Sequence, residues 1–195
     1  MYPSFAVAYD GNSNNQHAFA KNNPQYFEKN RSGQIINTPQ RSHLSWGHPE
    51  VRKFKVETFT HLVLKHGFDG VLLDYIRFFG TSDGYCEVIV SEFKAKHGRD
   101  PFKISPDDPQ WVKFRADYVT LFIRELRQSF NKVDKDLKII ACVNADPKES
   151  LRKVMQDWET WVDLSLVDAV VTMIYENDTN NTLKLAMIAD AATKG

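Results

Sequence analysis

Cysteine is scarce: the 195 residues hold two, Cys86 and Cys142, with none of the close spacing that a metal site requires. Cys142 sits inside the apolar run KIIACV and reads as a small buried hydrophobe, so cysteine usage leaves the redox compartment open. An excess of either charge is also missing. Lys+Arg and Asp+Glu each number 25, for a formal net charge of zero. That removes the electrostatic footprint of a nucleic-acid or anionic-membrane binder and favours a neutral or sugar-like ligand. No run is long and apolar enough to span a membrane. The opening MYPSFAVAYDG lacks a positive n-region, and its apolar stretch is too short for a signal peptide. Neither GxGxxG nor GxxxxGK[ST] follows any strand candidate, which disfavours a nucleotide-binding doubly wound fold. His17, His48, His61, His66 and His97 form no ligand pattern, so no metal and no cofactor are expected.

What is present is ordinary for a globular domain: 42% hydrophobic and 26% charged residues, enough for one domain with a substantial core. The 12% aromatic content is explained first by a core of large side chains. Phe5 to Tyr9 reads as a strand ended by the turn residues Asp10-Gly11-Asn12. The polar stretch from Asn12 to about Trp46 is too long for a passive connection and reads as a loop on the substrate side, with a helical turn near Gln16 to Lys21. His48-Pro49-Glu50 opens a helix, with proline at its first position and an acid in its first turn. Val51, Phe54, Phe59, Leu62 and Val63 recur at helical spacing until Gly67.

The stretch FDGVLLDYIRFF, Phe68 to Phe79, follows at once. Its Val71-Leu72-Leu73 core is apolar on both faces, as in a buried parallel strand, and it breaks into Asp74, Tyr75 and Arg77. A short helix is predicted over Val88 to His97, and a long amphipathic one after Asp107-Asp108-Pro109. Strands are predicted over Leu137 to Val143 and Asp168 to Tyr175, with helices over Glu149 to Leu164 and Thr182 to Ala192. Strand and helix alternate four times, which argues a parallel sheet with helices outside it. Each strand ends in a polar cluster: Tyr9-Asp10, Asp74-Tyr75-Arg77, Asn144-Asp146 and Tyr175-Glu176-Asn177. Polar groups gathered on that rim are where α/β folds place their ligands. The fold class expected is α/β of the (β/α)8 TIM-barrel type, in a single partial domain of about four parallel βα units. The open edges of such a half call for a cover, either the missing half-barrel or a self-association partner.

These segments resemble glycoside-hydrolase-like TIM-barrel families, the family-10-like group most of all. GFDGVLLDYIRF looks like their D-G-I-x-x-D-Y-I-R strand, and LSWGHPEVRKF is similar to their helix opening. DPQWVKFRADYVTLFIREL, LKIIACVNADP, QDWETW and LVDAVVTMIY follow in the family's order, from roughly Leu44 to Tyr175. Two positions depart from the pattern: Phe79-Gly80 stands where Tyr/Phe-Pro is usual, and Glu176 follows Tyr175 where Asn-Tyr-Thr is common. The family's first and last strands have no counterpart in this stretch. The resemblance implies a carbohydrate substrate and an extracytoplasmic setting, at the envelope or secreted.

Glycoside hydrolysis generally uses two carboxyl groups flanking the scissile bond. Period-2 alternation puts Leu72, Asp74 and Ile76 on one face of the central strand. Asp74 is the first catalytic candidate, with Arg77 expected to keep it ionised. Glu176 and then Asp146 are candidates for the second acid. Tyr75, Arg77, Asn144, Tyr175, Tyr9, Asp10, His43 and Trp46 are candidates for substrate binding, although a tryptophan before a helix also serves as a packing staple. Asp69 opens the strand at the opposite rim and reads as a turn residue. The competing reading is a barrel that binds carbohydrate without cleaving it, or an inactive fragment of a longer hydrolase.

Overall fold

Helix signals and strand signals alternate through the chain, and the computed structural model, which describes residues 1–193, realises that alternation. Strand β1 spans Ser4–Ala6, β2 Gly70–Asp74, β3 Lys138–Asn144 and β4 Ala169–Met173. They form one parallel sheet in the order β1-β2-β3-β4. Each strand therefore neighbours the next in sequence, as successive βα units of a barrel wall do.

The helices are α1 (Ala18–Asn22), α2 (Pro49–His66), α3 (Glu87–His97), α4 (Pro109–Val133), α5 (Pro147–Val154), α6 (Trp158–Asp163) and α7 (Thr179–Ala192). Proline at the first turn starts α2, α4 and α5, where its missing N–H costs nothing. Gly67 and Gly98 close α2 and α3 in the left-handed conformation, which glycine adopts without a Cβ penalty. The helical stretch predicted over Glu149 to Leu164 is two helices. Met155 turns left-handed at φ 52° between them and frees Gln156 to reach back to the sheet.

The pleat sorts the strands into two faces. Val71 and Leu73 of β2, with Ile139, Ala141 and Val143 of β3, are buried in one core with Phe59 and Val63 of α2 and Phe122 and Leu126 of α4. The alternate residues Leu72, Asp74, Ile140, Cys142 and Asn144 are only half-buried. Register aligns Leu72 with Ile140, Cys142 with Val171, and Asn144 with Met173. These residues line the opposite, concave face, where Val171 is 45% exposed. An apolar sheet face and two outer strands left open to solvent are what half a barrel presents. A cleft follows the outer side of β1, lined by Ser4, Ala6, Tyr9, Phe54 and Thr58 among others.

The polar stretch 12–46 is ordered. It folds over the carboxyl-end rim with α1, a 3-10 turn at Pro24–Tyr26 and a small core in which Ala20, Phe27 and Leu44 pack with Val51 of α2. Strand β1 is shorter than Phe5 to Tyr9. The ladder continues through Val7 and Ala8, whose amides donate to Asp74 and Tyr75, and then Tyr9 turns back to Ala6. Among the described residues, no helix is long and apolar enough to cross a membrane.

Candidate active site at the strand ends

Asp74 is the last residue of β2. Its backbone carbonyl accepts the Val7 amide at 2.8 Å, and its Oδ1 accepts the amide of Tyr75 at 2.8 Å. Tyr75 is held at φ 50°, a conformation that a side-chain-bearing residue adopts at a cost of order 1–3 kcal/mol. The Arg77 amide donates to the Tyr75 carbonyl at 2.9 Å, so the chain reverses tightly and leaves Tyr75 38% exposed beside the carboxylate. Arg77 lies over the Tyr75 ring, 5.1 Å from its centroid, and donates to Asn144 Oδ1 at 3.3 Å. The arginine thus bridges the ends of β2 and β3. Among the described residues no cation pairs with Asp74, so its neighbours leave the carboxylate half-exposed and facing the concave side.

Asn144 is positioned from behind by the helix pair that follows it. Gln156 is fully buried. Its Oε1 accepts from the Asn144 amide at 3.0 Å and from Ser150 Oγ at 2.8 Å. Its Nε2 donates to the carbonyls of Cys142 at 3.0 Å and Ile76 at 3.3 Å. Trp158 Nε1 adds a bond to the Asn144 carbonyl at 2.9 Å. One glutamine therefore joins the carboxyl ends of β2 and β3, which is why α5 must break at Met155.

The remaining candidates occupy different environments. Asp146 is the N-cap of α5: its Oδ1 accepts the amides of Lys148 at 2.9 Å and Glu149 at 3.1 Å, a local role that alone accounts for an aspartate there. Tyr175 is 87% exposed, and Glu176 is exposed in the coil after β4. Tyr9 donates its hydroxyl to the Gln40 carbonyl at 3.3 Å. Asp10 is buried, with Oδ1 2.5 Å from Lys55 Nζ and 3.3 Å from His17 Nε2, and with Oδ2 accepting the Leu44 amide at 2.9 Å. Burial opposes its ionisation, but Lys55 and these hydrogen bonds prevail and hold its carboxyl well below the usual carboxylate range. Lys55 also donates to the Val7 carbonyl at 2.8 Å, so this pair pins loop 12–46 to β1 and α2.

His43 and Trp46 are fully enclosed. The His43 ring lies edge-on to Trp46, Phe78 and Phe79 with centroids 5.5–6.1 Å apart, and burial drives its pKa down to about 3. Both residues form the inner wall behind the rim. Asp69, at the amino end of β2, pairs with the Met1 ammonium group, consistent with the opposite rim.

Two ionisable side chains beneath the loops are fully buried. Arg115 on α4 is fully buried and donates to the carbonyls of Thr81, Asp83 and Pro106 at 2.6–2.7 Å. It clamps the loop after β2, and at Gly84, held at φ +90°, a Cβ would lie 2.5 Å from the Arg115 side chain. Glu28 is also fully buried. Its Oε1 accepts the amides of Lys29 at 2.9 Å and Cys86 at 3.0 Å, and burial pushes its pKa up to about 7. The only sequence signal for Arg115 was its place within the KFRADY segment; Glu28 had none. Among the described residues no group of three or more His, Cys, Asp or Glu could hold a metal ion.

The profile described as Glycosyl hydrolase-like 10 matches residues 1–195. The chain belongs to the glycosyl hydrolase-like 10 family. No curated protein matches it in sequence. Among solved structures it is similar to the PgaB (BpsB) glycoside hydrolase domain from Bordetella bronchiseptica, with 21% identity and a TM-score of 0.64 over 83% of this chain and 49% of that one. It is also similar to the β-galactosidase from Bacillus circulans sp. alkalophilus (12% identity, TM-score 0.66, 94% of this chain and 31% of that one). A β-galactosidase from the psychrophilic Marinomonas ef1 matches at 12% identity and TM-score 0.62, over 88% of this chain and 30% of that one. These likenesses give the fold: four parallel βα units of the TIM-barrel type. The family member spans about half or less of the structures it resembles.

Proposed function

We propose that this family member provides one wall of a glycosidase site that acts on O-glycosidic bonds of an envelope or extracellular polysaccharide, with Asp74 as its central carboxylate. The observation that carries this reading is the state of Asp74. It ends an inner strand, is anchored through its backbone and one carboxylate oxygen, and is half-exposed on the concave face with no cation paired to it among the described residues. Asp10, by contrast, is spent in a buried ion pair, and Asp168 in ion pairs that anchor the start of β4. A carboxylate left accessible at a strand end suits a nucleophile, a base or an acceptor for sugar hydroxyls. Arg77 and Asn144 would orient the sugar from one side, and Tyr75 would offer its ring.

The second acid is assigned first to Glu176, exposed just past β4, and next to Asp146. Closure of the barrel by further βα units, from a longer chain or a second copy, would cover the open sheet face and enclose the sugar. The alternative, a barrel that binds carbohydrate without cleaving it, draws on one observation. Asp146 is engaged as a helix cap, and Glu176 lies in exposed coil.

The test is Asp74→Asn assayed for hydrolysis and for binding on the same polysaccharides. A fall in rate of about 10² or more with binding retained is the outcome expected for a catalytic carboxylate. Binding by the unaltered protein without turnover would instead support the non-catalytic barrel.

A further inference from the structure

From Asp74 an unbroken row of side chains leads away from the strand end to a second concavity. Tyr75 and Phe79 lie 5.9 Å apart between ring centroids with planes tilted by 33°. The guanidinium of Arg77 sits over Tyr75, and that of Arg41 lies 4.3 Å from the centroid of Phe79. Each ring is thus backed by a cation, which fixes its plane. Beyond Arg41 the surface opens into a groove whose lining includes Asn30, Gln34, Thr38, Arg41 and Asp83. Asp83 is nearly enclosed, its side chain 2% exposed, and lies 3.3 Å from Arg41. Asn30 donates to the Gln34 side chain at 3.0 Å, and Arg115 grips the Asp83 carbonyl from below at 2.6 Å. The groove floor is therefore built on a buried clamp.

We infer that this row and groove are further sugar subsites, so that the site accepts an internal run of a polysaccharide. The inference rests on the carbohydrate reading of the Asp74 site and extends it from one sugar to several. Sugar rings combine an apolar face with a girdle of hydroxyls. The row supplies aromatic rings that take the face. The groove supplies amide groups that donate to and accept from hydroxyls and a guanidinium that donates, with the enclosed Asp83 holding Arg41 in place. Mixed donors and acceptors suit neutral or amide-bearing sugars.

The experiment is isothermal titration of the protein with mono- to hexasaccharides from neutral-hexose, N-acetylhexosamine and uronate series, repeated for Phe79→Ala and Gln34→Ala. Circular dichroism and melting temperature establish that both variants are folded. Affinity is expected to rise about tenfold or more from disaccharide to pentasaccharide. Both variants should lose that gain while keeping the disaccharide affinity. Gln34 is exposed, so its replacement probes the groove without disturbing the core. Affinity that does not grow with length, or growth that survives both substitutions, overturns the extension while leaving the carbohydrate reading in place. Absence of binding across the three series counts against both.

Discussion

Glu28 offers a direct test of how the loop layer is held on the sheet. Its carboxyl is fully buried and its Oε1 accepts two amides. Burial raises its pKa from the ordinary 4.5 to about 7, and Asp83 adds to the rise. In the unfolded chain the group ionises near 4.5; in the native protein it keeps its proton to about pH 7. The native state therefore binds more protons between these values, and stability falls as pH rises through that window. At about 1.4 kcal/mol per pKa unit, the loss is on the order of 3 kcal/mol above pH 7. For a domain of this size that corresponds to a melting temperature lower by about 6–12 °C. Glu28→Gln keeps the amide-accepting oxygen and removes the titration. The variant should melt close to the unaltered protein at pH 5 and well above it at pH 8. His43 runs the other way: burial lowers its pKa to about 3, so its contribution is full above pH 6.5 and is lost as pH falls through 6.5 toward 3. It does so in both proteins and cancels in their difference. Equal differences in melting temperature at pH 5 and pH 8 would refute the argument.

Gln156→Leu should be among the costliest single changes near the rim. It strands the Asn144 amide, the Cys142 and Ile76 carbonyls and the Ser150 hydroxyl, for about 3–5 kcal/mol in a urea unfolding series; a loss under about 1 kcal/mol would deny Gln156 its role. Asp10→Asn leaves the Lys55 ammonium group buried without its counter-charge and should cost about 3–5 kcal/mol. Because the Asp10 pKa is depressed, its contribution is present above the unfolded value near 4 and is lost as pH falls below it. The melting temperature of the Asn variant should therefore fall less steeply than that of the unaltered protein on acidification below pH 4, and parallel curves would contradict the ion-pair assignment.

Most of the architecture could be read from the order of residues because it rests on local rules. The proline-led starts of α2 and α4, the glycine stops at Gly67 and Gly98, and the apolar runs of β2 and β3 are each decided within a few positions. What escaped depends on contacts between distant segments. Stretch 12–46 has no periodicity, yet Asp10, Lys55 and a small core around Leu44 order it. Arg115 is one polar residue on a long amphipathic helix, and only the folded loops bring three carbonyls to it. The break at Met155 was hidden because the left-handed residue is not a glycine. It follows from the need to bring Gln156 to the sheet. At the candidate site, the strand-end positions of Asp74 and Asn144 followed from where the apolar runs break into polar residues, while the partner of Arg77 did not. A nearby carboxylate was the obvious choice by charge, and the structure gives the arginine to Asn144 instead.

That choice bears on the chemistry. An arginine paired with Asp74 would occupy the carboxylate oxygens that the proposed sugar site needs. Directed to Asn144 and laid over Tyr75, the same guanidinium still faces the rim but leaves the carboxylate to the ligand. The cost of the left-handed turn at Tyr75, of order 1–3 kcal/mol, is offset by the ladder bonds from Val7 and Ala8 and by the Gln156 anchor on Ile76. A strained residue held by that many independent bonds has little freedom to relax. The turn therefore fixes the Tyr75 backbone relative to the Asp74 carboxylate, which would serve the proposed contact of both with one sugar ring. If this is the purpose of the turn, Tyr75→Gly should relieve the strain and preserve or raise the melting temperature while weakening sugar binding. Tyr75→Phe should retain most of the affinity. A glycine variant that binds as well as the unaltered protein would show that the turn serves the fold alone.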